Sequence, residues 1–287
     1  MTELRWGERT YVMGILNLTP DSFSGDGLAT EGRSRDEVLA AALGQAEEFM
    51  AAGCDILDVG AESSRPAQFY GEHPPLSAAD EAALAVPVVR ALVERFGARV
   101  LVSIDTVKRD VALAATAAGA GMVNDVWAGQ RDPGTLQAAA EAGSYMVLMH
   151  NADVAEYPRG VFAEVVTWLT AAIAAALEAG VRRERLIVDP GIGFGKTPEH
   201  SIELLHRLSE LKVALGGLPM LVGTSRKRFI GELLGGVPPE QRLEGTAATV
   251  SLAIAGGADI VRVHDVATMI RTVRVTDGIV RWTGSAE

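Results

Sequence analysis

The chain has 287 residues, of which 48% are hydrophobic and 22% charged, a composition typical of a globular protein with ample material for a core. Its formal net charge of −11 disfavours non-specific binding to nucleic acid or anionic membranes, because both depend on a basic surface. No run of about 18 uninterrupted apolar residues occurs, and the first ten residues lack a signal-peptide pattern. The single cysteine, Cys54, excludes an intrachain disulfide and is predicted to be a core residue. We therefore expect a cytoplasmic protein without nucleic-acid or membrane partners.

Eight short apolar segments predict β-strands. Several are continuous apolar runs rather than alternating ones, which is typical of a parallel sheet whose two faces are both covered. The predicted strands lie at residues 11–16, 56–59, 100–104, 122–123, 145–149, 186–188, 220–222 and 260–263.

Helical patterns lie between the predicted strands. Apolar residues recur at helical spacing over residues 162–177, and Gly180 predicts where this helix ends. Thr197 and Pro198 are typical of the start of a further helix after the sixth strand, which we expect to end near residues 216–217. These two helices would connect neighbouring parallel strands.

Eight strand–helix units favour an α/β fold, a (β/α)8 TIM barrel that forms a single domain over residues 1–287. Glycines that follow helical patterns and precede strands indicate the short returning loops of such a barrel. They are Gly53, Gly97, Gly119 and Gly143. A doubly wound sheet is the alternative, but that fold more usually has fewer strands and one phosphate-binding turn.

Polar residues follow every predicted strand. In a TIM barrel the active site is built at the carboxyl ends of the strands, so these residues are expected to meet at one rim. In chain order they are Asn17; Glu62, Ser63, Ser64 and Arg65; Asp105 and Thr106; Asn124 and Asp125; His150 and Asn151; Asp189; Thr224, Ser225, Arg226 and Lys227; and Arg262, His264 and Asp265. Each one alone could cap a helix or stabilise a turn, but capping does not explain the whole set.

The expected rim residues divide into two groups by their chemistry. Acceptors and an amide follow strands three, four and six, and they suit the donor-rich edge of a heterocyclic ring. Cationic donors follow strands seven and eight, where TIM barrels frequently bind phosphate. The first group is Asp105, Asn124 and Asp189, and the second is Lys227, Arg262 and His264. The sequence therefore predicts a site that holds a base-like ring beside an anion.

Two glycine-bounded segments also bear on the site. DPGIGFGKT, residues 189–197, lacks the spacing of a P-loop, and its glycines are expected to let the backbone approach a ligand closely. Phe194 would form an apolar or stacking wall, or else a core contact. GTSRKRFIG, residues 223–231, is either a binding loop or a solvated basic loop. The sequence has no zinc-binding pattern, so any metal is expected to be Mg²⁺ that arrives with phosphate and meets an oxygen such as that of the Asn17 side chain.

Taken together, these segments resemble the dihydropteroate synthases of folate biosynthesis. The matching segments, in the order of that family, are GILNLTPDSFSGDG, DILDVGAESSRP, SIDT, NDV, LMH, DPGIGFGK, GTSRKRFIG and VRVHD. The resemblance implies a transferase that condenses (7,8-dihydropterin-6-yl)methyl diphosphate with p-aminobenzoate, by dissociative loss of diphosphate, to give 7,8-dihydropteroate. It also implies Mg²⁺ as cofactor, a homodimer and inhibition by sulfonamides.

The resemblance further implies roles for individual residues. The catalytic residues would be Asp105, Lys227, Arg262 and His264. The pterin would be bound by Asp105, Asn124, Met149, Asp189 and Lys227. Diphosphate would be bound by Asn17, Ser64, Arg262 and His264, with Mg²⁺ near Asn17. The lid loops and the p-aminobenzoate pocket would include Asp21, Phe23, Ser64, Arg65, Pro66, Phe194, Lys227 and Arg228.

The sequence departs from the family pattern in several places. Ala61 and Ser64 stand where glycine and threonine are common, and residues 67–76 form a longer segment than usual. Arg228 stands where some members have serine, and an arginine can bind the aminobenzoate carboxylate more strongly. Two alternatives remain: a pterin-binding methyltransferase, which has no diphosphate to hold and so no need for the cationic group, and a paralogue that binds pterin without turnover.

Overall fold

The computed structural model describes residues 3–19, 27–28, 33–62 and 76–283. Within these residues, eight strands lie where the sequence predicts them, with ends that differ by at most two residues. They are β1 (Tyr11–Asn17), β2 (Ile56–Gly60), β3 (Leu101–Asp105), β4 (Met122–Asp125), β5 (Tyr145–Met149), β6 (Leu186–Asp189), β7 (Leu221–Val222) and β8 (Ile260–Val263).

Helices follow the strands along the chain. Three of them begin at a side-chain cap: Ser34, Ser77 and Thr197 each accept a hydrogen bond from the backbone N–H three residues later. The α-helices of the described residues are α1 (Arg35–Ala52), α2 (Ala78–Phe96), α3 (Arg109–Ala117), α4 (Gly134–Ala142), α5 (Val161–Glu178), α6 (Pro198–His206), α7 (Leu208–Ala214), α8 (Arg228–Leu233), α9 (Leu243–Ala255) and α10 (Val266–Val280).

The strands form one parallel sheet in the order β6-β5-β4-β3-β2-β1-β8-β7. A parallel bridge between Val188 and Met220 joins β6 to the chain that enters β7, and the Val188 N–H donates to the Pro219 carbonyl at 2.9 Å. This contact completes the ring, so the prediction of a TIM barrel is confirmed and the doubly wound alternative is wrong. The prediction of a single domain over residues 1–287 stays a prediction.

Alternate strand residues face two separate cores. Tyr11, Met13 and other buried residues fill the amino-terminal part of the barrel, where Leu4 also packs. The Leu4 N–H donates to the Tyr145 hydroxyl at 3.0 Å, and Trp6 meets the Tyr145 ring edge to face. The intervening strand residues, such as Val12, pack against the surrounding helices. Apolar side chains thus fill the amino-terminal end of the barrel and leave the carboxyl end for polar groups.

Most local predictions hold, and one needs correction. Gly53, Gly119 and Gly143 follow helices in the left-handed region that glycine favours, and Cys54 is a core residue, only 4% exposed. The helix predicted after the sixth strand is instead two helices, α6 and α7. They meet at Arg207, whose φ of −104° and ψ of 24° interrupt the helical geometry.

Helix α5 is long and apolar enough to cross a membrane by length and composition alone. In the barrel its apolar side packs against β5, α6 and α7. The buried residues of this helix are Val161, Val165, Leu169, Ala172 and Ala176. This packing accounts for the apolar residues on the buried side of the helix.

Candidate active site

A cavity of about 370 Å³ opens at the carboxyl end of the barrel. Residues from both groups predicted from the sequence line it, together with the segments that follow β6 and β7. The predicted site residues in its wall are Asn17, Asp105, Asn124, Met149, Asp189, Phe194, Lys227, Arg228, Arg262 and His264. The fold therefore brings the described part of the predicted site together in one place.

Strand register places Asn17, Asp105 and Asn124 at the same level of the first four strands. Asn17 pairs with Gly60, Gly60 with Asp105, and Asp105 with Asn124 across four consecutive strands. A Cβ at Gly60 would lie 3.5 Å from the Cβ of Asp105, so glycine leaves room beside this carboxyl group. Asn124 and Asp189 are 3% and 5% exposed, so a ligand that reaches them must leave water behind.

Asp105 shares a cation with a second carboxylate deeper in the barrel. Arg262 donates from Nε to Oδ2 of Asp58 at 2.7 Å and from Nη2 to Oδ2 of Asp105 at 2.8 Å. The Asn124 amide donates to the same Asp58 oxygen at 3.0 Å. Burial raises the pKa of Asp105 to about 8; the Arg262 charge lowers it, and the Asp58 charge raises it. Burial therefore favours the protonated form of Asp105 in the free protein, and a ligand that donates N–H hydrogen bonds to it would favour the carboxylate.

Asp189, at the end of β6, is held by the backbone just beyond it. The Gly191 N–H donates to its Oδ1 at 2.7 Å. Burial raises the pKa of Asp189, while the Lys227 charge and this hydrogen bond act in the opposite direction. A carboxylate has about four lone-pair sites, so Asp189 keeps acceptor capacity for a ring donor.

The glycines of residues 189–197 fit closely against protein backbone. A Cβ at Gly191 would lie 1.9 Å from the His150 carbonyl oxygen, and one at Gly195 would lie 2.2 Å from the Ala152 carbonyl oxygen. Both residues also have positive φ, +66° and +54°. We expected these glycines to make room for a ligand; in the structure, Gly191 and Gly195 make room for the loop after β5.

Lys227 crosses the cavity toward this glycine segment. Its ammonium group donates to the Ile192 carbonyl and lies 4.6 Å from the centre of the Phe194 ring, a cation–π contact. Phe194 therefore forms part of the cavity wall, which is one of the two roles that the sequence allows. Arg228 lies at the cavity edge, about half exposed, and pairs with Glu232 of the same helix at 2.6 Å.

A second lysine, Lys196, lies behind the cavity wall. It is 7% exposed and donates to the Phe194 carbonyl and to Nδ1 of His150, both at 2.9 Å. Burial lowers the pKa of Lys196 well below its usual value. Burial and the Lys196 charge together lower the pKa of His150 to about 3, so this histidine is neutral. The pair fixes the backbone that presents Phe194.

His264, just after β8, is oriented by a hydroxyl group. Ser225 Oγ accepts from the His264 backbone N–H at 3.2 Å and lies 2.9 Å from Nδ1 of the same residue. With Nδ1 as the acceptor of the Ser225 hydroxyl, the ring N–H lies at Nε2. The imidazole can then donate from Nε2 to an anion in the cavity.

Asn17, the residue predicted to meet Mg²⁺, lies among the described residues. Its Oδ1 accepts a hydrogen bond from Thr19 Oγ1 at 3.0 Å, which leaves further lone pairs on the amide oxygen. Among the described residues, no group of three or more His, Cys, Asp or Glu side chains could hold a metal. One amide oxygen suits Mg²⁺ that brings its own phosphate ligands, not an ion held by protein alone.

Part of the predicted site lies outside the described residues. These positions are Asp21, Phe23, Ser64, Arg65 and Pro66. Their assignment to the lid loops, the aminobenzoate pocket and, for Ser64, the diphosphate site stays a prediction.

Sequence reasoning missed the role of Asp58. Asp58 lies within a predicted strand, and the available sign was a charged residue in an otherwise apolar run. It comes two positions before Gly60, so both residues face the inside of the barrel.

A second group that the sequence did not reveal supports the neighbouring loops. Lys108 contacts Glu62 and Glu81, the latter at 2.5 Å, and Glu81 accepts from Thr106 Oγ1 at 2.6 Å. The helical spacing of α2 gives no hint that Glu81 is buried.

A parallel barrel whose rim carries buried acceptors beside cations is the arrangement of an enzyme that binds a polar ring together with an anion. The family model described as pterin binding enzyme matches residues 13–264. The dihydropteroate synthase of Clostridium beijerinckii is 43% identical over 97% of both chains. The chain therefore belongs to the pterin-binding enzyme family, among the dihydropteroate synthases, which are transferases.

Solved structures agree with this assignment. The Clostridium difficile dihydropteroate synthase, solved in the presence of pteroic acid, has a TM-score of 0.87 at 40% identity and covers 97% of this chain and 100% of its own. The Xanthomonas albilineans enzyme, solved with 4-aminobenzoic acid, has a TM-score of 0.84 at 40% identity, with 95% and 93% covered. Relatives with this degree of identity along nearly the whole chain disfavour the methyltransferase alternative.

Proposed function

We propose that this protein joins p-aminobenzoate to the exocyclic methylene carbon of (7,8-dihydropterin-6-yl)methyl diphosphate, releasing diphosphate and forming 7,8-dihydropteroate. The observation that carries the proposal is the shared cavity, which is lined by a buried acceptor group and by a cationic group that contacts it through Arg262 and Asp105. A pterin ring presents several N–H donors along one edge, and diphosphate is an anion, so each half of the substrate has a matching half of the site.

The acceptor half is proposed to hold the pterin. Asp105 and Asp189 would accept from ring N–H groups, and Asn124, whose amide is oriented by Asp58, would complete the set. Lys227 and Met149 would contact the ring from the remaining wall. Asp105 and Asp189 are buried, and their pKa values are raised because water does not stabilise the ionised carboxylates there. The N–H donors of the ring would take the place of that water.

The cationic half is proposed to stabilise the departing diphosphate. Cleavage of the methylene carbon–oxygen bond places negative charge on diphosphate and positive charge on the pterin methylene. Arg262 and His264 would bind the first charge, while the carboxylate of Asp105 would stabilise the second. The neutral aniline nitrogen then attacks the methylene carbon and loses a proton. In a cavity that excludes water, the amine and not water captures the cation.

Mg²⁺ is part of this proposal as an ion that accompanies diphosphate. The Asn17 amide oxygen, which retains lone pairs at the rim, would meet it. When bound, the ion supplies additional positive charge that lowers the cost of releasing diphosphate.

The aminobenzoate is proposed to lie against Phe194 and Lys227, with its carboxylate toward Arg228 at the cavity edge. Asp21, Phe23, Ser64, Arg65 and Pro66 are proposed to complete this pocket. A sulfonamide has a similar aniline ring and a polar group in place of the carboxylate, so we propose that sulfonamides bind the same pocket.

We also propose a homodimer in the cytoplasm. Helices α9 and α10 contact each other through Ser251 and Thr276, whose hydroxyl oxygens lie 3.0 Å apart. The exposed large apolar residues on or next to these helices are Leu252, Val275, Ile279, Val280 and Trp282. An apolar surface of this kind supports association of two copies. Light scattering of Val275→Glu against the unaltered protein tests the dimer, and an unchanged mass of two chains would contradict the use of this face.

The direct test of the reaction is a substrate assay. Purified protein is incubated with the pterin diphosphate, p-aminobenzoate and Mg²⁺, and both dihydropteroate and diphosphate are measured. We expect equal amounts of the two products. Absence of both, from protein that circular dichroism shows to be folded and calorimetry shows to bind pterin, would contradict the proposal and favour the silent paralogue.

A further inference from the structure

The loops that carry Lys227 and His264 receive little support from the sheet. Strand β7 has only two residues, and its register with β8 is limited to Leu221 with Ile260 and Val222 with Val261. Lys227 comes five residues after the end of β7, and His264 directly follows β8. Backbone pairing therefore does not fix the distance between these two cationic side chains.

Arg226, the residue before Lys227, has an unusual backbone conformation. Its φ is +57°, in the left-handed region that residues with a side chain rarely adopt. Two backbone contacts hold it there: its N–H donates to Thr246 Oγ1 at 3.1 Å, and its carbonyl accepts from Arg242 Nη1 at 2.8 Å. Strain of this kind persists only where the surroundings determine the conformation, and it concentrates at functional sites.

The Arg226 side chain joins the two loops. Nε donates to Oδ2 of Asp265 at 2.9 Å, and Nη2 donates to Oδ1 at 2.6 Å, so the guanidinium binds both carboxylate oxygens. This two-point contact fixes orientation as well as distance. Arg226 directly precedes Lys227, and Asp265 directly follows His264. The adjacent link from Ser225 to His264 runs beside it.

We propose that Arg226 and Asp265 are positioning residues that together hold Lys227 and His264 in a fixed relation across the boundary between the pterin and diphosphate halves of the site. The inference deepens the proposed function and rests on it. Both side chains are partly buried, 18% and 23% exposed, so water competes less with the pair than at the surface. The pair acts through its neighbours and not through contact with substrate.

The principal test compares Arg226→Lys, Asp265→Asn and the double variant. Because a displacement of about one ångström in an active site can cost about 100-fold in rate, we expect each single variant to lower kcat by about tenfold or more. The double variant should be no worse than the poorer single variant, since both changes break one contact. Losses that multiply in the double variant, or kcat values equal to the unaltered protein, would overturn the proposal.

A second measurement separates positioning from a general structural effect. Calorimetry with pterin alone should show a small loss of affinity, about threefold or less, because Lys227 shifts while Asp105, Asn124 and Asp189 are untouched. Calorimetry with p-aminobenzoate in the presence of diphosphate and Mg²⁺ should show a larger loss, about tenfold or more, because it depends on both Lys227 and His264. Equal loss in both titrations would mean that the pair only supports the fold.

Two further variants provide controls. The first is Arg159→Lys. Arg159, which lies just before α5, also binds both carboxylate oxygens of a glutamate, Glu164, with two contacts of 2.9 Å. The Arg159→Lys variant should therefore leave kcat unchanged.

The second is Arg226→Gly, because glycine adopts the left-handed backbone conformation without strain. This variant should melt at a higher temperature than Arg226→Ala while losing as much activity. If Arg226→Gly regains activity together with stability, the proposal would be overturned. If the unaltered protein makes no product, the proposed function fails, and the calorimetric comparison alone decides on the pair.

Discussion

Arg262 donates a 2.8 Å hydrogen bond to Asp105 while its Nε serves Asp58 at 2.7 Å. A guanidinium carries one positive charge, so it compensates the ionised form of only one of these two carboxyl groups. The other group is favoured in its protonated form by burial. This arrangement explains why Asp105 combines an arginine neighbour with a pKa raised to about 8, and it makes three predictions.

The first prediction concerns stability as a function of pH. The pKa of Asp105 rises from 3.8 to about 8 on folding, so the folded protein holds this proton more tightly than the unfolded chain does. The contribution of this proton to the free energy of unfolding is complete below the unfolded pKa and is lost as pH rises through the folded pKa, by at most about 1.4 kcal/mol per pH unit. Urea unfolding across this range measures the slope, and Asp105→Asn should reduce it. The same slope in that variant would show that another group titrates.

The second prediction is that Asp58→Asn lowers the pKa of Asp105. The asparagine oxygen can still accept from Arg262 and Asn124, but the negative charge is gone, so Arg262 compensates Asp105 alone. The pH range over which stability falls should therefore move down by about one pH unit or more. Urea unfolding of Asp58→Asn over the same range measures this shift. An unchanged pH range would argue against competition of the two carboxyl groups for Arg262.

The third prediction is that Arg262→Ala destabilises the protein by about 3 kcal/mol or more, since two buried carboxyl groups lose their cation. It should also weaken diphosphate-dependent binding more than the binding of bare pterin. Bare pterin should still bind somewhat more weakly, because Arg262 holds the Asp105 carboxyl group in place. His264→Ala is the matched variant, because the His264 ring is oriented by Ser225 and belongs to the cationic half alone. If Arg262→Ala weakens both ligands equally and His264→Ala does the same, the assignment of two half-sites is wrong.

The strands and the rim were accessible from sequence because both depend on local pattern. Apolar runs bounded by polar residues mark strand ends, and the barrel places those ends together. This rule identifies Asn17, Asp105 and Asp189. It considers residues at or beyond the end of a strand and expects the rest of an apolar run to be core, so it did not find Asp58 within the second run. The importance of Asp58 depends on Arg262, 204 positions along the chain, and no local pattern records that contact.

Other differences have similar physical reasons. The break between α6 and α7 at Arg207 leaves the apolar spacing almost intact, so the pattern predicts one helix where the backbone forms two. The pairing of Arg226 with Asp265 joins two loops whose sequences are each merely polar. Such contacts are set by tertiary packing, and a sequence pattern gives the residues but not the partners.

The glycine segment after β6 gives the last prediction. Gly191→Ala would place a Cβ 1.9 Å from the His150 carbonyl oxygen at a φ of +66°, and because a backbone atom cannot rotate aside, the loop must move. We expect destabilisation of about 3 kcal/mol or more. We also expect weaker pterin binding, because the Gly191 N–H holds Asp189 at 2.7 Å.

Gly143→Ala is the matched control for this variant. Its φ of +63° is nearly the same, but a Cβ there would meet no atom of the described residues within 4 Å. The change should therefore cost only about 1 kcal/mol, from backbone strain alone, and leave pterin binding unaltered. Urea unfolding and calorimetry with pterin measure both variants. Equal stability losses in the two variants would mean that the close approach to His150 is not what requires a glycine at position 191. Unaltered pterin binding in Gly191→Ala would mean that this turn does not position Asp189.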